Sequence, residues 1–158
     1  MLEQFCEWLQ ATPLAVSISE NWFPAVESLH VVALSLVVGT IFIVDLRLLG
    51  LSTRSLGIRY LSERVTPWTW MAFVMAAITG GLLFAANATT YYSNVPFRIK
   101  MVLLLLAGLN MVFFQFVTFR NVATWDAGKP SGGARFAGAM SLLLWTGIVI
   151  SGRWIGFV

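Results

Sequence analysis

The chain has 158 residues, 58% of them hydrophobic and only 11% charged, with a formal net charge of +3. A soluble domain carries roughly 25% charged residues, so this composition excludes an ordinary soluble enzyme. One cysteine and one histidine also exclude an internal disulfide and a zinc site of the usual type.

Residues 1–23 lack the basic n-region and the apolar run of a cleavable signal peptide. Leu2, Phe5, Cys6 and Leu9 recur at helical spacing opposite Glu3, Glu7 and Gln10. That pattern predicts a short interfacial helix with Cys6 as an apolar filler. Four apolar blocks follow, each near the ~20 residues that cross a ~30 Å hydrocarbon layer. They place spans at about 24–46, 67–88, 96–119 and 136–155. Glu27 and His30 are the ionisable residues of the first block, and the second carries no charge. Arg98 and Lys100 open the third, and Arg135 and Arg153 bound the fourth.

Between spans one and two, Leu56, Tyr60, Leu61 and Val65 are spaced like a surface helix, and Pro67 then starts span two. Residues 89–96 read as a short turn with Tyr91 and Tyr92 at the interface, and the glycine-rich 120–135 connection reads as irregular chain. Trp22, Trp68, Trp70, Trp125 and Trp154 fall near span ends, as an aromatic belt requires. Ala72, Ala76 and Gly80 form one row of small residues; Ala134, Gly138 and Leu142 start another, so backbones are expected to approach there.

The expected fold is therefore all-α: one membrane domain over 1–158, an up-down-up-down four-helix bundle with a short interfacial N-terminal helix. Arg47, Arg54, Arg59, Arg64, Arg120, Lys129 and Arg135 lie in the two long connections, against Arg98, Lys100 and Arg153 on the other side. By the positive-inside rule the long connections are cytoplasmic and both termini periplasmic, in a bacterial inner membrane. The positive balance is a product of that rule, so nucleic acid is not an expected partner. The lipid bilayer is, and a homo-oligomer or a larger membrane complex both stay open.

The candidate site lies in the outer leaflet. Glu27 and His30 are one helical turn apart, and Lys100 enters span three at a similar depth. Arg98 and Arg153 lie near the same edge. Charged groups at such depth are costly, so they mark a working site by default. An imidazole with basic groups beside it suits haem b, with His30 as metal ligand and Lys100 and Arg153 meeting propionates. Glu27 would orient or charge-compensate the histidine. The same cluster suits an anionic or quinone-like ligand, a proton relay, or a hydrogen-bonded structural pin. Bis-histidine ligation needs two histidines, and Met101 is the one methionine level with His30. On the other side, Asp45 and Arg47 read as ion-paired anchors at the headgroups, and Asn110 and Gln115 as amides bonding across helices.

The run Trp22-Phe23-Pro24-x-x-Glu27-Ser28-Leu29-His30-Val31, with Val38-Gly39-Thr40 and Val44-Asp45-Leu46-Arg47-Leu48-Leu49-Gly50, resembles a family of small uncharacterised bacterial four-span membrane proteins. Lys100, Ala107-Gly108-Leu109-Asn110, Ser141-Leu142-Leu143-Leu144-Trp145 and Gly152-Arg153-Trp154-Ile155-Gly156 extend the likeness over nearly the whole chain. More distantly, His30 and Lys100 are similar to residues of the four-span membrane protoporphyrinogen oxidase and of copper-resistance protein D-like membrane domains. That resemblance implies a haem ligand in span one and a lysine beside the site. It also implies a span-three histidine, where this chain has Asn110 and Gln115. The functional expectation is a b-type haem-binding or redox-associated module with its site near the periplasmic side. An accessory subunit of a larger membrane complex and a small transporter or proton relay using Glu27, His30 and Lys100 are the alternatives.

Overall fold

A computed structural model describes residues 1–51, 57–122 and 130–157. Arg54, Leu56, Trp125 and Lys129 lie outside the described residues. The helices are α1 (Leu2–Gln10), α2 (Pro13–Ser17), α3 (Phe23–Leu48), α4 (Ile58–Ala86), α5 (Ala88–Ser93), α6 (Val95–Phe113) and α7 (Gly132–Trp154). A π-helical turn, Ile18–Trp22, joins α2 to α3, and another, Phe114–Thr118, extends α6. Among the described residues, four segments are long and apolar enough to cross a membrane: Pro13–Leu48, Ile58–Ala86, Val95–Phe116 and Gly132–Phe157. The chain is a multi-pass α-helical membrane protein.

Local chemistry sets several ends. Thr12 caps α2, Asn94 caps α6 and Ser131 caps α7, each side-chain oxygen accepting a bond from the first-turn N–H three residues on. Two ends differ from the sequence expectation. Span two was expected to begin at Pro67, yet α4 begins at Ile58 and carries Pro67 inside it. An interior proline costs about 3 kcal/mol, so something outside the local sequence must hold the first turns. Ile58, fully buried with Leu48, Val122 and Ala134, supplies that anchor. Likewise, the turn expected over 89–96 contains the helix α5, its Ala88 fully buried. Stacked Phe84, Phe97 and Tyr91 rings pin this corner.

The four long helices pack as two antiparallel pairs, α3 with α4 and α6 with α7, and the contact of α3 with α7 joins the pairs. The two rows of small residues make these contacts close. Ala72, Ala76 and Gly80 of α4 face α3, where Gly80 lies under the His30 ring. Gly138 of α7 fits against Leu48 and the Asp45 carbonyl of α3. The central core is Val37, Ala72, Ala107, Leu144, Trp145 and Ile148, one or more residues from each long helix. Outward positions such as Leu29, Ile78, Leu105 and Leu143 are exposed and apolar, as a lipid-facing surface requires.

The short α1 lies as expected, with Cys6 turned inward, and packs across α5. Gln10 fastens it: its Oε1 accepts from the Thr89 N–H (3.2 Å) and the Thr89 hydroxyl (2.8 Å). Gln10→Ala should therefore free α1 from α5 at a cost of about 1 kcal/mol. Limited proteolysis should then cut the first 12 residues faster, leaving the core melting transition nearly unchanged.

Candidate functional site

Two polar layers interrupt the apolar bundle. The first lies at the end that carries α1 and α5. His30 points from α3 into α4, where its Nδ1 lies 2.9 Å from Thr79 Oγ1. Thr79 is almost fully buried, and its hydroxyl donates to the Met75 carbonyl at 2.7 Å. With that proton on the Met75 carbonyl, the Thr79 oxygen is an acceptor for a proton on His30 Nδ1. That arrangement is the Nδ1–H tautomer, with the imidazole lone pair on Nε2. Gly80 makes room for the ring: a Cβ there would lie 3.0 Å from Cε1 and 3.5 Å from Nδ1.

Lys100 sits in the other helix pair, its ammonium 3.4 Å from the position of a Cβ on Gly152 of α7. It is close enough to His30 for the two to interact electrostatically. Among the described residues no carboxylate pairs with Lys100; the one ion pair there joins the exposed Arg59 and Glu63. His30 and Lys100 thus lie within electrostatic reach of each other, one from each helix pair. Glu27 and Arg153 stay at the rim. Glu27 is exposed and lies near Tyr91, whose phenol is pushed up from its usual range first by burial and then by that carboxylate. Arg153 is exposed, its guanidinium 5.2 Å from the centre of the Phe157 ring. Met101 is exposed as well.

The second layer lies toward the opposite end. Asp45 and Arg47, expected at the headgroups, are instead buried, at 4% and 2% exposure. The close fit of Gly138 of α7 beside the Asp45 carbonyl draws this last turn of α3 into the bundle. A side-chain hydrogen bond joins Asp45 to Ser141, while its Oδ2 has no partner among the described residues. Thr69 and Thr40 bridge α4 and α3 at 2.9 Å. Asn110 donates to the Ala137 carbonyl at 3.0 Å, crossing from α6 to α7 as expected of a deep amide. Thr40, Asp45, Thr69, Asn110 and Ser141 line a cleft of about 240 Å³, flanked by α4 and α6, which have no extensive contact with each other.

The sequence reading missed Thr79 as the partner of His30. Its signal was faint: a hydroxyl next to the small-residue row that faces α3. The reading also missed the cleft, which depends on how the two helix pairs splay. No group of three or more potential metal-ligating side chains occurs among the described residues.

Fold and site together define a four-span membrane protein with two intramembrane polar layers. The chain belongs to the family of unknown function DUF6644, whose model matches residues 17–158. No curated protein and no solved structure matches it.

Proposed function

We propose that this protein is a small b-type haem module, redox-associated, in which His30, at the end that carries α1 and α5, would hold the haem iron. The observation that supports this reading is the tautomer of His30. A ligating histidine donates its other ring nitrogen to a neighbour, which fixes the ring and frees the ligating nitrogen, and Thr79 takes that donation here. Lys100, without a carboxylate partner among the described residues, suits the propionate edge, with Arg153 at the rim. Glu27 balances that positive charge from the same rim. Haem, when bound, would supply one-electron transfer. The basic residues concentrate at the opposite end, so by the positive-inside rule this layer faces the periplasm of a bacterial inner membrane.

The test is the oxidised and dithionite-reduced absorption spectrum of protein purified gently from haem-supplemented cells. A Soret band is expected for the wild type, abolished by His30→Ala and retained with weaker haem affinity in Lys100→Gln. A colourless wild type overturns the proposal. With one histidine per chain, any further protein ligand would come from a second copy or from another residue type, and the haem-to-chain ratio distinguishes these.

A further inference from the structure

The cleft of the second layer is walled mostly by apolar and aromatic side chains, and Asp45 is the one ionisable residue of its lining among the described residues. Several of its polar groups are left with accepting capacity, although Gln115, Trp70 and Trp145, which carry N–H donors, also line it. Thr40 donates its hydroxyl to the carbonyls of Leu36 and Val37, and Thr69 directs its own to Thr40 or the Val65 carbonyl. Asn110 directs its amide N–H to Ala137, which leaves its oxygen open. Asp45 Oδ2 is buried and has no donor among the described residues. A buried carboxylate oxygen without a donor is costly when ionised, and among the described residues no basic side chain lines the cleft to compensate it. Trp70, Phe73, Phe114 and Trp145 add aromatic rings to the wall. A carboxylate at the base of an aromatic-walled cavity complements an organic ammonium group, which gains an ion pair and contacts with ring faces together.

We propose that this cleft binds an organic ammonium group, with Asp45 as its counter-ion and the aromatic side chains enclosing its alkyl or aryl part. The site is independent of the His30 layer: it lies toward the other end of α3 and shares no residue with it. The cleft lies beside α4 and α6 at the level of the last turns of α3, so the ammonium group comes either from a free amphipathic amine or from an ethanolamine lipid headgroup.

The experiment uses the full chain in nanodiscs of phosphatidylglycerol, a lipid without an ammonium group, titrated with benzyltrimethylammonium and followed by calorimetry. Saturable binding is expected, about tenfold or more weaker in Asp45→Asn. Neopentylbenzene, the uncharged analogue of similar shape, should bind much more weakly. Gly108→Leu provides a second variant that keeps Asp45 intact: Gly108 lines the cleft and a Cβ there meets nothing within 4 Å, so the side chain fills the space without a clash. It should abolish binding in a folded protein, whereas His30→Ala should leave binding unchanged. Competition by added phosphatidylethanolamine assigns the natural group to a lipid headgroup, and its lack assigns it to a free amine. Equal binding to Asp45→Asn, or equal binding of the uncharged analogue, overturns the proposal.

Discussion

Gly138→Leu is expected to unfold the bundle well below the melting temperature of the wild type. A single added Cβ at this position would lie 3.0 Å from Leu48 Cβ and 3.2 Å from the Asp45 carbonyl oxygen. The second of these is backbone and cannot swing aside. Three further carbons must then push α7 away from α3, and that contact is what joins the two helix pairs. Overpacking a well-packed site costs typically about 1–3 kcal/mol. In lipid the loss is harder to recover, because close packing rather than water exclusion holds the spans together. Gly108→Leu is the control, adding the same side chain to α6 where a Cβ meets nothing within 4 Å. Heating both variants in detergent, with folded protein read by size exclusion, should show early loss for Gly138→Leu alone. Coincident melting of the two variants would mean that the α3–α7 contact does not hold the pairs together.

The same residues show how far the sequence could be read. Four apolar blocks and the tryptophans at their ends located the spans, because membrane thickness imposes a length that composition reveals directly. The small-residue rows located the contact faces, since only glycine and alanine allow such approach, and Gly80 and Gly138 are where it is closest. Helix rotation was far less legible. A span is apolar on its buried and lipid-facing sides alike, so the periodicity that orients a surface helix in water is nearly absent. Asp45 and Arg47 therefore read as headgroup anchors from their position at a span end, although the fit of α3 against α7 buries both. Pro67 read as a helix start by local rule, and the tertiary anchor at Ile58 overrode it. The partner of His30 stands 49 residues away in α4, a pairing that depends on helix register and not on any local motif.

That pairing carries the prediction with the sharpest readout, since the chain has one histidine and its labelled imidazole gives one pair of ring-nitrogen resonances. Thr79→Val keeps the volume of the side chain but removes the acceptor from His30 Nδ1, and should cost about 1–3 kcal/mol as a half-buried N–H loses its partner. Gly80→Leu acts more strongly. Its Cβ would fall 3.0 Å from His30 Cε1 and 3.5 Å from Nδ1, so the ring must rotate or α4 must withdraw from α3 along their whole shared face. Either response breaks the Thr79 bond. Nitrogen-15 spectra of histidine-labelled protein should show the Nδ1–H tautomer in the wild type, a mixture in Thr79→Val, and a displaced, broadened signal in Gly80→Leu. The melting temperature should fall in the same order, with Gly80→Leu lowest. A wild-type spectrum of the Nε2–H tautomer would reverse the direction of the His30–Thr79 bond, and would remove the free lone pair on which ligation by His30 depends.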